Sequence, residues 1–334
     1  MRILVTGGAG YIGSHVAKEL KRAGHTPVVL DNLCRGHEWA VKWGPLLKLD
    51  LGDRDALFST FRDHAFDAVI HLAAFAYVGE SILKPAEYFQ NNVVNTRNLL
   101  DAMAHARVNK IIFSSSCAIY GDPQFLPINE DHPQSPKSPY GESKRIAEEL
   151  LSERHQAGQV SWAALRYFNA AGADPDGEIG EVHEPEPHLI PIAIAAALGD
   201  IQRLEIYGTD YDTPDGTAIR DFVHVTDLAR AHVVALEYLC ATGRSRSFNL
   251  GTGLGYSVGE VVAAVAKRTQ REVPVAFQPR REGDPAVLVA DVSRAAAELR
   301  WQPRYSSLDA IVESAYGWYV HYRAKTVAAS GGVR

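Results

Sequence analysis

Tyr140 and Lys144 stand four residues apart in the run SPYGESK, and Ser116 precedes Tyr140 by 24 positions (140 minus 116) in IIFSSSCAIYG. Residues four apart on a helix project from one face, so this spacing sets an ammonium beside a phenol. A neighbouring cation favours phenolate and lowers a pKa that is ordinarily about 10. Tyr140 is therefore expected to act as a general base, with Ser116 at a strand end hydrogen-bonding the same substrate oxygen. Taken alone, a tyrosine and a lysine in this spacing fit surface decoration better, so the reading rests on what accompanies them.

What accompanies them is a phosphate cradle. Gly7, Gly10 and Gly13 in MRILVTGGAGYIGSHVAKEL directly follow a predicted strand and open a predicted helix. Glycines so placed permit a tight turn, an approach of backbone to pyrophosphate and close packing of helix on strand, while the helix start offers N–H groups and a positive dipole end. Asp31 ends the second predicted strand. A carboxylate there accepts hydrogen bonds from the adenosine ribose hydroxyls and repels a ribose phosphate, which favours NAD over NADP. Asp50 and Leu51, in LKLDLGD, are placed to flank the adenine, and Asp50 serves equally well as a helix cap. An oxidised nicotinamide would add a second positive charge next to Tyr140.

Such groups must be positioned by alternating elements. Short apolar runs at Arg2 to Thr6, Pro27 to Leu30, Ala68 to Leu72, Lys110 to Ser114 and Ser161 to Arg166 read as buried strands. Tyr11 to Ala23, Arg54 to Arg62, Pro85 to His105 and Pro139 to Gln156 read as amphipathic helices between them. This order predicts an α/β fold with a Rossmann-type, doubly wound parallel sheet. Beyond Asn169, the Gly- and Pro-rich stretches ADPDGEIGEVHEPEPH and YGTDYDTPDGTAIRDF mark a smaller α/β substrate-binding domain. The expected division gives residues 1–168 to the NAD-binding domain, completed by 220–251. Residues 169–219 and 252–323 form the second domain, and 324–334 a flexible tail.

Composition narrows the class of function. The chain has 334 residues, 46% of them apolar and 22% charged, enough for a sizeable core in a globular protein. A net charge of -6 gives no reason to expect nucleic acid, and no apolar run suits a membrane span of ~18 residues. The start of the chain lacks the layout of a signal peptide, so a cytoplasmic protein is expected. Cys34, Cys117 and Cys240 have neither metal-ligand spacing nor a disulfide pattern, and no metal site is expected.

Gly7-x-x-Gly10-x-x-Gly13, Asp31, Ser116 and Tyr140-x-x-x-Lys144 resemble the extended short-chain dehydrogenase/reductase family. DNLCRG, VGES, RYFNAAGADPDGEIGE, HLIP, YGTDYDTPDGT, IRDFVHVTDLA and RREGDPA are similar to the UDP-glucose 4-epimerases within it, over residues 1 to about 320. The resemblance implies a tightly held NAD, a UDP-hexose substrate inverted at carbon 4 and a homodimer formed through Pro85 to His105 and Pro139 to Gln156. It extends the cofactor set to Tyr11, Ile12, Asn32, Leu72, Ala73, Ala74, Asn91, Ser114 and Tyr167. Lys144 would also hold the nicotinamide ribose. The substrate set it implies is Asn169, His188, Leu189, Tyr207, Arg220, Arg281, Asp284 and Leu288, together with Ser116 and Tyr140. Planar guanidinium groups suit phosphate oxygens, Asn169 would donate to the diphosphate, Asp284 would accept from uridine ribose, and Tyr207 would lie against uracil.

Three departures limit the resemblance. His188 replaces an asparagine common in relatives, Ala76 replaces a lysine found in some and so removes one cofactor contact that favours NAD retention, and Leu288 stands where relatives carry either tyrosine or a small residue, which leaves substrate breadth open. UDP-xylose/UDP-arabinose and UDP-N-acetylhexosamines are therefore alternative pairs. Dehydratase chemistry is disfavoured, because Cys117 and Ala118 follow Ser116 where dehydratases carry an Asp-Glu pair. Cys117 reads as a small buried thiol rather than a base. A simple alcohol dehydrogenase and a non-catalytic NAD or UDP-sugar binder are the remaining rivals, the latter opposed by the intact Ser116, Tyr140 and Lys144.

Overall fold

The computed structural model describes residues 1–281 and 283–331, with side chains described through residue 324. Its centre is a seven-stranded, wholly parallel sheet. The strands are β1 (Arg2–Thr6), β2 (Thr26–Asp31), β3 (Leu46–Lys48), β4 (Ala68–His71), β5 (Lys110–Ser116), β6 (Ser161–Tyr167) and, after four short strands, β11 (Arg246–Leu250). Their order is β11-β6-β5-β4-β1-β2-β3. The order reverses between β1 and β4, which opens a crevice at the carboxyl ends of those strands.

β1 reads RILVT because both faces of the sheet are covered. Ile3 and Val5 point into one core with Val16 and Leu20 of α1 (Tyr11–Arg22). Leu4 points into the other with Leu57 of α2 (Arg54–Asp63). α3 (Val78–Leu83) and α4 (Pro85–Phe89) precede α5 (Asn95–His105), which packs between α2 and α6 (Pro139–Gln156) on the second face. The sequence predicted one helix over Pro85 to His105, but a wide turn at Gln90–Val94 interrupts the α-helical ladder there. Polar side chains account for it: Asn92 is buried, its amide donates to Phe75 O (2.9 Å) and Ser143 Oγ (3.0 Å), and Thr96 Oγ1 donates to Asn92 O (2.6 Å).

A third core lies beyond Asn169. The short strands β7 (Asn169–Ala171), β8 (Leu204–Tyr207), β9 (Ile219–Arg220) and β10 (Phe222–His224) alternate with α7 (Leu189–Leu198) and α8 (Val225–Thr242). β12 (Tyr256–Ser257), α9 (Val258–Thr269), β13 (Val275–Gln278), β14 (Val287–Leu288) and α10 (Leu308–Gly331) complete the chain. Ile190, Ile194, Ile206, Val261, Val265 and Ile311 pack together there, whereas Leu228 and Leu236 of α8 and Phe248 of β11 belong to the first core. Residues 324–331, expected as a tail, continue α10, and 332–334 lie outside the described residues. Among the described residues, no helix is long and apolar enough to cross a membrane.

One buried polar network fastens α6 to the sheet. Arg166 Nε and Nη2 donate to the two Glu148 oxygens (3.0 and 2.6 Å), and Ser115 Oγ donates to Glu148 Oε1 (2.5 Å). Both charged side chains are at most 7% exposed. Removing one partner of such a pair leaves an unpaired buried charge. Glu148→Ala is expected to lose about 3–5 kcal/mol of stability, read as a fall in the urea midpoint; an unchanged midpoint would contradict this role.

Candidate active site

α6 starts where the sequence dictates. Ser138 caps it, accepting from Gly141 N (3.1 Å), and Pro139 takes the first helical position, where its missing N–H is no loss. A Cβ on Gly141 would lie 2.4 Å from Ala118 O, so glycine lets the helix start press against the turn that follows Ser116. This contact brings Tyr140 and Lys144 to Ser116 at the carboxyl end of β5.

The trio is almost fully buried, with Ser116, Tyr140 and Lys144 at 7%, 7% and 2% exposure. Lys144 Nζ donates to Ser114 O (2.8 Å) and lies 5.9 Å from the centre of the Tyr140 ring. Burial pushes the Lys144 ammonium down to about 7, against the pull of Glu148 one turn later. Burial also raises the Tyr140 phenol above its ordinary value, Tyr167 adds to the rise, and the Ser116 hydroxyl opposes it. The expectation that Lys144 lowers the Tyr140 pKa is thus reversed in the protein alone. Desolvation outweighs a neighbour that is itself partly discharged.

The glycine loop divides its labour. Gly7 adopts φ +70°, and a Cβ there would sit 2.6 Å from Ala73 N. A Cβ on Gly13 would sit 2.1 Å from Gly7 O, so both positions are fixed by the protein's own packing. At Gly10 the sole atom within 4 Å of a Cβ is Gly7 O, at 3.3 Å, and no side chain caps α1. The open space and free first-turn N–H groups of Tyr11, Ile12 and Gly13 fit a pyrophosphate. Asp31 accepts from Ala9 N (3.0 Å) and Leu33 N (2.8 Å), and burial raises its pKa against these bonds.

Around this cradle, Asn32 Nδ2 donates to Asp50 Oδ2 (2.6 Å), beside the buried Leu51. Asp50 is not the cap of α2; Asp53 is. Leu72, Ala73 and Ala74 follow β4 across the crevice, with Leu72 N donating to Thr6 O (3.0 Å). The Ser114 and Tyr167 hydroxyls pair with each other, and Asn91 Nδ2 donates to Asn92 Oδ1 (3.0 Å). Tyr11 OH points away to Gly172 O (2.6 Å), and Ile12 packs into the first core. At the helix start these two offer backbone N–H groups, while their side chains are engaged elsewhere.

The expected substrate residues are partly engaged with one another. Arg220 pairs with Asp284, and the Arg281 guanidinium lies over the Tyr207 ring at 3.8 Å from its centre. One face of the Tyr207 ring is thus covered by a cation. Leu288 pairs in register with Arg220 and packs with Cys117 near Phe168 and Ile119, next to Ser116. Burial pushes the Cys117 thiol up to about 12, so it is no base. Asn169 opens β7, its N–H donating to Asp221 O (2.9 Å), and Leu189 opens α7. At His188, burial lowers the imidazole pKa but the Glu181 and Glu186 carboxylates outweigh it and raise it to about 10. Glu181, His183 and Glu186 were passed over in the sequence, although their alternation with His188 was the available signal.

The profile of the NAD dependent epimerase/dehydratase family matches residues 3–251. This chain belongs to that family. The UDP-glucose 4-epimerase of Rhizobium meliloti (strain 1021) is 49% identical over 317 residues, covering 95% of this chain and 96% of that protein. The UDP-glucose 4-epimerase from Brucella ovis in complex with NAD superposes with a TM-score of 0.93 at 52% identity, over 95% of this chain and 98% of that one. A UDP-glucose 4-epimerase from Stenotrophomonas maltophila, with bound NAD and formylated UDP-arabinopyranose, gives 0.94 at 40% identity over 98% and 99%. Membership makes NAD the cofactor of this epimerase/dehydratase fold, and the open cradle at Gly10 fits it. Gly10→Val should fold with a near-normal thermal midpoint yet release little NAD on denaturation; a full complement of NAD would remove Gly10 from the cradle.

Proposed function

We infer that this chain interconverts UDP-galactose and UDP-glucose as an NAD-dependent 4-epimerase. The observation that carries the reading is the burial of Ser116, Tyr140 and Lys144 together at the carboxyl end of β5, in a chain matched along nearly its whole length by UDP-glucose 4-epimerases.

The residues divide the work. The Tyr140 phenol oxygen takes the proton of the sugar 4-hydroxyl as the carbon–hydrogen bond at carbon 4 breaks, and Ser116 holds that oxygen in line. Bound NAD supplies the reversible two-electron acceptor for carbon 4 and the positive charge that the buried phenol otherwise lacks. Lys144 anchors the cofactor side and, discharged near neutrality, also relays a proton between Tyr140 and its surroundings. The resulting 4-keto sugar turns over within the cleft and is reduced on its other face, with Tyr140 returning the proton.

Turning over requires a firm grip on the nucleotide and a loose one on the sugar. We assign the grip to Asn169, Arg220 and Arg281 on the diphosphate, to Asp284, His188, Leu189 and Tyr207 around uridine, and the sugar wall to Leu288. Residues 169–219 and 252–323 act as the substrate-binding part, and 1–168 with 220–251 as the cofactor-binding part. Two chains pair through the segment from Pro85 to His105 and through α6, and the enzyme serves galactose metabolism. A pentose pair is the second reading, favoured by the formylated UDP-arabinopyranose in the Stenotrophomonas enzyme.

Tyr140→Phe should lower kcat by about 10²–10⁴-fold with bound NAD retained; turnover at the parent rate would show that another group is the base. Arg281→Ala should raise the KM for UDP-galactose several-fold, and an unchanged KM would remove the guanidinium from the site.

A further inference from the structure

The loop that leads into α7 carries Glu181, His183, Glu186 and His188, whose candidate ligand atoms all lie within 4.8 Å of one another. His188 Nδ1 is 2.7 Å from Glu181 Oε1 and 2.8 Å from Glu186 Oε1. His183 Nδ1 is 3.3 Å from Glu181 Oε1 and 3.3 Å from Glu186 Oε2. Each Nδ1 has one in-plane proton or lone pair, and both rings direct it to Glu186. Glu181 Oε1, on a side chain 6% exposed, is ion-paired with both nitrogens but lies off the line of either N–H. The cluster thus gathers two carboxylates and two imidazoles about one point, with the Glu181 carboxylate buried.

We propose that Glu181, His183, Glu186 and His188 bind one divalent cation, with zinc the best match. Four ligand atoms around zinc at 2.0–2.1 Å stand about 3.3 Å apart. About the shared Glu181 Oε1, the separation to His183 Nδ1 already has that value (3.3 Å), and the separation to His188 Nδ1 (2.7 Å) opens by about half an ångström. Two imidazole nitrogens and two carboxylate oxygens suit zinc, whereas magnesium and calcium take oxygen ligands in larger number. Two carboxylates also balance the charge of a divalent ion. With four protein ligands the site is closed, which makes it structural rather than catalytic.

Its place in the fold gives the ion a task. Tyr77, just before α3, stands edge-on to both imidazoles, with ring centres 5.7 and 6.3 Å away, and Tyr11 at the start of α1 stands edge-on to His183 at 6.3 Å. His188 immediately precedes Leu189 of α7. The ion therefore fixes the shape of the loop where its imidazoles pack against Tyr77 and Tyr11. The His188 side chain, 43% exposed, leaves a path for metal to enter. By contrast, the second acidic cluster, Asp174, Asp176 and Glu178, already holds the Lys18 ammonium.

The test reads metal rather than turnover, so it stands apart from the epimerase reading. Untagged full-length protein, stripped with chelator and dialysed, is titrated with zinc chloride in a calorimeter and, separately, with cobalt. The expected result is one zinc per chain and the strong visible absorption of four-coordinate cobalt. His183→Ala and Glu181→Gln, each shown folded by circular dichroism, should each weaken zinc binding by more than the roughly 10–100-fold that loss of an outer-shell partner costs. No stoichiometric zinc in the parent protein, or equal affinity in the folded variants, would overturn the proposal.

Discussion

The Glu148–Arg166 ion pair, buried beneath the carboxyl ends of β5 and β6, is the interaction on which the site's geometry rests. Two buried charges are tolerated only where every remaining lone pair and proton is used, and here the network extends in three directions. Ser115 ties it to β5 next to Ser116. Arg166 Nη1 reaches Tyr120 OH (3.0 Å) and Glu130 O (3.2 Å), and Tyr120 OH donates to Asn249 Oδ1 (2.6 Å) of β11. Glu148 lies one helical turn from Lys144, so the pair that locks α6 on the sheet also fixes the register of the proton-handling face.

The same burial that gives precision withholds charge. Lys144 is pushed down to about 7 and the Tyr140 phenol is pushed up, so the protein by itself favours a neutral pair. In the proposed reaction a positive nicotinamide would supply the charge that makes the tyrosine a base, coupling proton removal to the presence of an oxidised cofactor. Beyond Asn169, Arg220 pairs with Asp284 and Arg281 lies over Tyr207, and in the proposed reaction a diphosphate and a uracil would replace these partners. Such pairing keeps the guanidinium groups ordered without a ligand, which lowers the entropy lost on binding.

Much of this was legible in the residues. The apolar strand runs, the glycine loop and the Ser-Pro start of α6 are local signals, and the structure places each strand run within two residues of its expected bounds and the loop and helix start as read. Pro139–Gln156 agrees to the residue because its cap and its terminal turn are written in the chain. Misreadings occurred where distant contacts decide. The wide turn at Gln90–Val94 exists because Asn92 reaches Phe75 and Ser143. The Tyr140 pKa followed burial, which spacing along a helix does not encode. Pairing of Arg220 with Asp284 spans 64 positions and has no local signature.

The central claim is that hydrogen leaves carbon 4 and returns to the same carbon within one closed site. The direct measurement is to supply UDP-galactose deuterated at carbon 4, without added cofactor, and to follow the label in the UDP-glucose formed. The account predicts conversion with deuterium retained at carbon 4 and no net build-up of reduced cofactor. Product with the label lost to solvent, or reduced cofactor formed in proportion to sugar consumed, would contradict it.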